Sequence, residues 1–262
     1  MRFHFCILFA FATLSAIAQS TASAQVTTFT IDAPQLSTNK KIWLYIPSSY
    51  ASGKKKYPVI YMHDAQNLFD SKTSYAGEWR LDETLDSLKA QVIIVGIEHG
   101  NEKRLEELTP FPNEKYGGGK ADNYLEFITK TLKPHIDSVY RTKSNMKNTA
   151  IGGSSLGGLV SFYAVLKYPE VFGKALVFSP SFWFSDDIYS LASNKNIKAK
   201  MIFLSGDNES DDMVTDLNKM YNLVAKNHHS PRRNLTKTIV AGGKHNEKLW
   251  RDSFAKAYLW MF

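Results

Sequence analysis

Gly152-Gly-Ser-Ser-Leu-Gly-Gly158 is the most informative segment of this sequence. It follows a short apolar run, residues 149–151, and precedes a segment with helical patterning, residues 159–167. Its centre reads G-x-S-x-G around Ser155, which between a strand and a helix is typical of a nucleophile elbow. Such a turn holds the serine in a strained backbone conformation, and small flanking residues let the strand and the helix approach. The hydroxyl is then exposed at a helix N-terminus, where N–H groups favour negative charge.

The rest of the chain alternates between strand-like and helix-like segments. This order predicts an α/β fold with a mostly parallel sheet covered by helices on both faces. In such sheets, ligands bind beyond the carboxyl ends of the strands. The predicted strands cover residues 26–31, 41–46, 58–62, 91–97, 149–151, 174–178, 200–204 and 235–240. The predicted helices cover residues 81–88, 121–140 with a kink near Pro134, 159–167, 213–225 and 247–262.

The first residues have the pattern of a secretory signal peptide. Arg2 precedes an apolar run, residues 5–14, and two small-x-small cleavage sites follow, Ala16-Ile-Ala18 and Ala22-Ser-Ala24. We expect cleavage after Ala24, so that residues 1–24 form the signal peptide and residues 25–262 form a single domain. The apolar run is shorter than the ~20 residues that span a bilayer, so we expect no membrane span in the mature chain. Export to the periplasm or the extracellular space is the expected localisation.

Composition excludes several kinds of chemistry. The single cysteine, Cys6, lies inside the predicted signal peptide, which leaves no cysteine for disulfides, thiolate metal sites or nucleophilic attack. The net charge is +7, but the basic residues are scattered rather than clustered among aromatic residues, so we expect no nucleic-acid partner. The sequence indicates neither a metal nor an organic cofactor.

A serine hydroxyl needs a base that removes its proton. In this fold class the partners follow the nucleophile in the order serine, acid, histidine, each after a later strand. Of the six histidines outside the predicted signal peptide, three precede Ser155 and two end an amphipathic helix, which leaves His245, in the loop after the last strand, as the predicted base. Asp207 and Glu209 both follow the strand that ends at Leu204, and their spacing does not distinguish them as the acid.

An oxyanion intermediate needs two N–H donors. We expect one from Leu156, the residue after the nucleophile, and one from the turn His63-Asp-Ala-Gln-Asn67 that follows an upstream strand.

Six motifs in order along the chain resemble the α/β-hydrolase family of putative esterases. That family contains enterochelin-type siderophore esterases, feruloyl and acetylxylan esterases of carbohydrate esterase family 1, and esterase D. The motifs are Tyr61-Met-His-Asp-Ala-Gln-Asn-Leu-Phe69, Glu78-Trp-Arg-Leu-Asp-Glu83, Gly152-Gly-Ser-Ser-Leu-Gly-Gly158, Phe178-Ser-Pro-Ser-Phe-Trp183, Gly206-Asp-Asn-Glu209 and Gly242-Gly-Lys-His245.

The resemblance implies an α/β-hydrolase fold with Ser155 as nucleophile, Glu209 as acid and His245 as base. It also implies oxyanion donors at the N–H groups of Leu156 and Ala65. Many relatives carry glycine at the position of Ala65. If that position requires a positive φ, alanine there costs on the order of 1 kcal/mol.

The expected function is that of an exported serine esterase that forms an acyl-enzyme. The expected partner is a small-molecule or carbohydrate ester, either a siderophore ester or an acetylated or feruloylated carbohydrate. Acyl transfer by the same triad and a catalytically silent binding module are the alternatives. Trp183, Gln66 and Trp79 are the candidate substrate contacts, whereas Arg104 and Glu107 are expected to form a structural pair.

Overall fold

A computed structural model describes residues 20–262 of the chain. Ten strands and nine α-helices follow one another within these residues. The strands are β1 (Val26–Ala33), β2 (Thr38–Tyr45), β3 (Val59–His63), β4 (Ile93–Ile97), β5 (Pro112–Asn113), β6 (Gly117–Gly118), β7 (Thr149–Ser154), β8 (Lys174–Phe178), β9 (Lys200–Gly206) and β10 (Leu235–Val240). The helices are α1 (Leu81–Ser87), α2 (Arg104–Leu108), α3 (Ala121–Glu126), α4 (Lys133–Val139), α5 (Leu156–Lys167), α6 (Asp187–Ser193), α7 (Met213–Asn227), α8 (Pro231–Asn234) and α9 (Glu247–Met261).

Eight strands form one sheet in the order β1-β2-β4-β3-β7-β8-β9-β10, and β5 and β6 form a separate hairpin. The first two strands run antiparallel to their neighbours, and every pairing from β4 to β10 is parallel. The chain therefore has the mostly parallel sheet that the alternating pattern predicts. The carboxyl ends of β3, β7, β8, β9 and β10 meet at one edge, where the predicted site residues follow them.

Two hydrophobic layers cover the two faces of the sheet. Residues of α3, α5 and α7 pack into one layer, and residues of α1 and α9 pack into the other. Helix α5 packs on β7 and β8, and eleven of its twelve residues are buried. A helix that is apolar on all sides is stable only when it is buried, so the elbow and its helix lie inside the fold.

The predicted long helix from residue 121 to residue 140 is interrupted. Residues Phe127–Leu132 form a π-helical segment between α3 and α4. Pro134 has no N–H to donate, and its ring would collide with the carbonyl oxygen four residues earlier, so the turn before it widens. The predicted kink is thus a π-helical segment that begins seven residues before the proline.

Most of the predicted signal peptide, residues 1–19, lies outside the described residues. Residues 20–24 lie within them and pack against the folded domain. Between residues 20 and 262, no helix is long and apolar enough to cross a membrane.

Candidate active site

Ser155 occupies the sharp turn between β7 and α5. Its backbone has φ 58° and ψ −122°, a strained conformation that non-glycine residues rarely adopt. The turn is fixed on both sides, because Ser155 N donates to Phe178 O at 3.0 Å and Leu159 N donates to Ser155 O at 3.0 Å. The Ser155 hydroxyl lies 3.3 Å from the hydroxyl of Ser181 and is partly exposed. The strain predicted for an elbow serine is therefore present.

The glycines around Ser155 are required by close packing. A Cβ at Gly158 would lie 2.6 Å from the carbonyl oxygen of Phe178, a distance that backbone atoms do not tolerate. A Cβ at Gly153 would lie 3.1 Å from Cδ2 of His63. Helix α5 and strand β8 thus meet at van der Waals distance, and His63 of β3 fills the space behind the turn.

Glu209 and His245 form a hydrogen-bonded pair next to this turn. Their Oε2 and Nδ1 atoms are 2.6 Å apart, the Glu209 side chain is fully buried, and the His245 ring is about one-third exposed. The two loops that carry them are in backbone contact, since a Cβ at Gly243 would lie 2.8 Å from Cα of Gly206. This close approach holds the carboxylate against Nδ1, and within residues 20–262 the other ring nitrogen has no hydrogen-bond partner.

Two residues that the sequence analysis did not assign to the site hold Glu209 in place. Ser179 Oγ donates to Glu209 Oε1 at 2.8 Å, and Trp250 Nε1 donates to Ser179 Oγ at 2.8 Å. The N–H of Gly206 also donates to Oε1, at 2.5 Å. Ser179 has φ 42°, and the Trp250 ring stands edge-on to His245 at 5.2 Å. The motif Phe178-Ser-Pro-Ser-Phe-Trp183 points to Ser179, whereas nothing in the sequence around Trp250 distinguishes it from a core tryptophan.

Asp207 has a different partner. Its Oδ1 accepts a hydrogen bond from Gly242 N at 2.6 Å and so ties the loop after β9 to the loop after β10. The structure brings Glu209, and not Asp207, to His245.

The two predicted oxyanion donors lie at the starts of adjacent turns. Among residues 20–262, neither the N–H of Ala65 nor that of Leu156 donates a hydrogen bond, so both are free to bind an anion. Asp64, not Ala65, has the positive φ, at 56°. The expected strain at alanine is therefore absent. The Ala65 methyl instead packs beside Gly96, where a Cβ would lie only 2.9 Å from it.

Arg104 and Glu107 do not pair with each other, contrary to the expectation from the sequence. Arg104 forms a two-pronged ion pair with Asp64, at 2.7 and 2.8 Å, whereas Glu107 binds the buried ammonium of Lys40 at 2.6 Å. Burial raises the pKa of Asp64, but the charge and hydrogen bonds of Arg104 outweigh it and lower that pKa overall. Arg104 therefore stabilises a charged residue in the left-handed conformation immediately before the Ala65 N–H.

His63 is fully buried behind the elbow. Its Nδ1 lies 2.8 Å from the hydroxyl of Tyr124, and its Nε2 has no hydrogen-bond partner in the described part of the chain. Burial lowers the pKa of His63 to about 4. The residue is therefore a neutral packing element and not a second base.

We expect the stability supplied by His63 to be lost in acid. Between pH 6.5, the ordinary pKa of histidine, and about 4, its pKa in the folded protein, His63 is protonated in the unfolded chain but not in the folded one. Lowering the pH from 7 to 4 should therefore reduce the free energy of unfolding of the wild type, relative to His63→Asn, by about 3 kcal/mol. Urea unfolding of both proteins at the two pH values measures this difference. Burial raises the pKa of Asp82 to about 7, so protonation of Asp82 stabilises the folded protein as the pH falls. Both proteins contain Asp82, so its contribution cancels in the difference between them. A difference that does not change with pH would contradict a buried neutral His63.

The three candidate substrate contacts have different surroundings. Trp183 is 55% exposed and stands edge-on to Tyr116 at 5.9 Å. The side-chain amide of Gln66 is shielded from solvent and has no partner among residues 20–262. Trp79 is only 3% exposed and stacks on Phe178 at 5.8 Å. Trp79 was expected to contact substrate, but the structure encloses its ring in the core, between Phe178 and Trp250.

The sequence model of a family described as "Putative esterase" matches residues 33–261. YbbA of Bacillus subtilis, an uncharacterised protein, is 27% identical over 238 residues, which cover 86% of this chain and 93% of YbbA. The ferri-bacillibactin esterase BesA of the same organism is 27% identical over 176 residues, covering 58% of this chain and 60% of BesA. The crystal structure of the BES protein from Bacillus cereus superimposes with a TM-score of 0.74 at 19% identity, covering 95% of this chain and 98% of that one.

Proposed function

Because the chain belongs to the putative esterase family and hydrolyses carboxylic esters, we propose that it does so with a Ser155–His245–Glu209 triad. The observation that carries this proposal is the 2.6 Å hydrogen bond between Glu209 and His245, in a loop pair that borders the strained turn of Ser155. Glu209 accepts a hydrogen bond from Nδ1–H of His245, which keeps the proton on Nδ1 and leaves Nε2 unprotonated, the form of imidazole that acts as a base.

The proposed reaction begins when the Ser155 hydroxyl leaves Ser181 and turns to Nε2 of His245. Ser155 Oγ then attacks the ester carbonyl carbon while His245 takes its proton. The tetrahedral intermediate collapses, and His245 returns the proton to the leaving alcohol. Water then attacks the acyl carbon while His245 takes its proton. His245 returns that proton to Ser155 Oγ, and the carboxylic acid leaves.

The N–H groups of Ala65 and Leu156 are the proposed donors to the oxyanion. Neither N–H donates to another atom of residues 20–262, which supports this role, since a donor already in use would have to break a bond during the reaction. A donor of this kind lowers the barrier by about 3 kcal/mol. The Arg104–Asp64 pair would fix the position of the Ala65 N–H before substrate arrives.

The surface around Trp183 supports a substrate that carries a neutral aromatic or sugar group. We call this surface the Trp183 cleft. Trp183 follows Ser181 by two residues, and the hydroxyl of Ser181 contacts that of Ser155. The exposed rings of Trp183 and Tyr116 offer a surface on which a neutral ring can stack. Acidic residues outnumber basic ones in the lining of the Trp183 cleft. The lining contains one lysine, Lys115, and five acidic residues, which are Glu114, Asp186, Asp187, Asp212 and Asp216.

This excess of carboxylates repels an anionic substrate such as a ferric tricatecholate. We therefore propose an aryl or acylated-carbohydrate ester in preference to a siderophore. We also propose that the protein is exported through its N-terminal segment.

Active-site labelling tests the nucleophile. A fluorophosphonate should attach to the wild-type protein, and peptide mass spectrometry should place the adduct on Ser155. Ser154→Ala should label like the wild type, whereas His245→Ala should label much more slowly because it lacks the base. An adduct on any other serine would exclude the proposed triad.

A substrate panel tests the Trp183 cleft. Ethyl ferulate should have a higher kcat/KM than the ferric complex of a catecholate trilactone. Trp183→Ala should raise KM for ethyl ferulate and leave kcat for p-nitrophenyl acetate unchanged. Preference for the ferric trilactone, together with an unchanged KM in Trp183→Ala, would show that the cleft does not select the substrate.

A further inference from the structure

The carboxylates of Asp70, Glu78 and Asp82 lie together beside the loop that leads into α1. All three are buried, with at most 6% of each residue exposed. Glu78, Asp82 and the neighbouring Glu83 place carboxylate oxygens within 4.8 Å of one another. The Nε of Arg80 is 3.8 Å from Glu78, too far to satisfy the cluster alone. Carboxylates at this density and depth are stable only if other donors reach them.

Residues 20–24, which we call the N-terminal strap, supply those donors. Ser20 Oγ donates to Asp70 Oδ2 at 2.7 Å, and Thr21 Oγ1 donates to Glu78 Oε1 at 3.0 Å. The third carboxylate, Asp82, accepts from the backbone N–H of Ser23 at 2.7 Å. Each of the three buried carboxylates therefore has a strap residue as a partner.

The strap is also joined to the domain by its backbone and its apolar surface. Ser71 N donates to Thr21 Oγ1 at 2.8 Å, and Val26 N donates to Ser23 O at 3.0 Å. Ala22 packs against the hydrophobic layer that contains α1 and α9. The strap is thus packed on the domain, and a single residue, Gln25, separates it from β1.

Cleavage after Ala24 would remove all of these contacts. Asp82 Oδ2 would lose the N–H of Ser23, and Asp82 Oδ1 already has no partner in the described part of the chain. A buried carboxylate without donors is strongly destabilising. The earlier small-x-small site, Ala16-Ile-Ala18, leaves the whole strap on the mature protein.

We propose that the signal peptide is removed after Ala18, so that the mature protein begins at Gln19 and retains the strap as a structural element. A signal peptidase would add water across the Ala18–Gln19 amide, which gives a carboxylate on Ala18 and an ammonium group on Gln19. The ammonium group would be on the residue that precedes Ser20 in the sequence, and Ser20 Oγ donates to Asp70 Oδ2. The proposal rests on the proposed export and not on the proposed catalysis.

Intact mass spectrometry of the exported protein tests the cleavage point. The full-length precursor, produced in a bacterium with a general secretory pathway, should yield a chain that begins at Gln19. Ala18→Leu should block this processing, because a large residue does not fit directly before the cleaved bond. Ala24→Leu is the matched control, since it alters the other site at an exposed position and should leave the Gln19 terminus unchanged. A wild-type chain that begins at Gln25, or an unprocessed precursor, would overturn the proposal.

Thermal unfolding tests the role of the strap without export. A protein made to begin at Gln25 should unfold at least about 5 °C below one made to begin at Gln19. If the shorter protein does not fold, Ser20→Ala and Thr21→Val in the longer one give the same test with smaller shifts, whereas Ala24→Leu should have none. Equal unfolding temperatures for the two lengths, or for the wild type and both strap variants, would show that the strap does not stabilise the domain. Neither measurement depends on esterase activity, so failure here and failure of the triad are distinguishable.

Discussion

Replacing Ser155 by alanine will lower kcat for p-nitrophenyl acetate by about 10⁴- to 10⁶-fold, with little change in the stability of the fold. The variant removes the atom that forms the acyl-enzyme, so hydrolysis falls to what the oxyanion donors and substrate binding provide alone. Alanine has the same Cβ as serine and adopts the same strained backbone at no extra cost, and the Ser155 backbone bonds to Phe178 and Leu159 remain.

The matched control is Ser154→Ala. Ser154 is the last residue of β7 and is buried, so a general effect of removing a hydroxyl from this turn would appear in both variants. Stopped assays with purified proteins measure kcat, and thermal unfolding measures whether each variant is folded. If Ser155→Ala retains most of the wild-type kcat, or if Ser154→Ala is equally inactive, the nucleophile is not Ser155.

The elbow could be predicted from sequence because its geometry depends on residues that are adjacent in the chain. Gly153 and Gly157, the two glycines of the G-x-S-x-G pattern, approach each other within the turn, since a Cβ at Gly153 would lie 3.2 Å from Cα of Gly157. The alternation of strands and helices specified the parallel sheet for the same reason. Hydrophobic periodicity is a local property of the sequence, so it predicts strands and helices without knowledge of the tertiary contacts.

The partners of charged residues could not be predicted in the same way. Arg104 and Glu107, which are close in sequence, were expected to pair, but the partners that the fold provides are Asp64 and Lys40, each far away in sequence. Such pairs depend on which parts of the chain meet in the fold, and the local sequence carries no information about that.

The surroundings of the tryptophans depend in the same way on tertiary packing. Trp79 and Trp183 both lie in motifs shared with the family, yet one is enclosed between Phe178 and Trp250 and the other is exposed. Trp250 comes from α9, and its hydrogen bond to Ser179 exists only because that helix docks against the ends of β8 and β9. A sequence pattern therefore gives the identity of such residues but not whether they line the site or support it.

Glu209→Gln will lower kcat by about 10⁴-fold, whereas Asp207→Asn will have little effect. Glu209 Oε1 accepts from both Gly206 N and Ser179 Oγ, so in the glutamine variant the amide oxygen must occupy that position. The amide NH₂ then faces His245 and donates to Nδ1. His245 is forced into the tautomer that carries its proton on Nε2, where it can no longer accept the proton of Ser155.

Asp207→Asn is the matched control because it makes the same carboxylate-to-amide change two residues away. Its amide oxygen can still accept from Gly242 N, so the contact between the two loops is preserved. The loss in Glu209→Gln should appear in kcat with KM nearly unchanged, since Glu209 does not contact the substrate. The spacing in the sequence did not distinguish Asp207 from Glu209 as the acid, and the family resemblance favoured Glu209. A larger loss in Asp207→Asn than in Glu209→Gln would assign that role to Asp207.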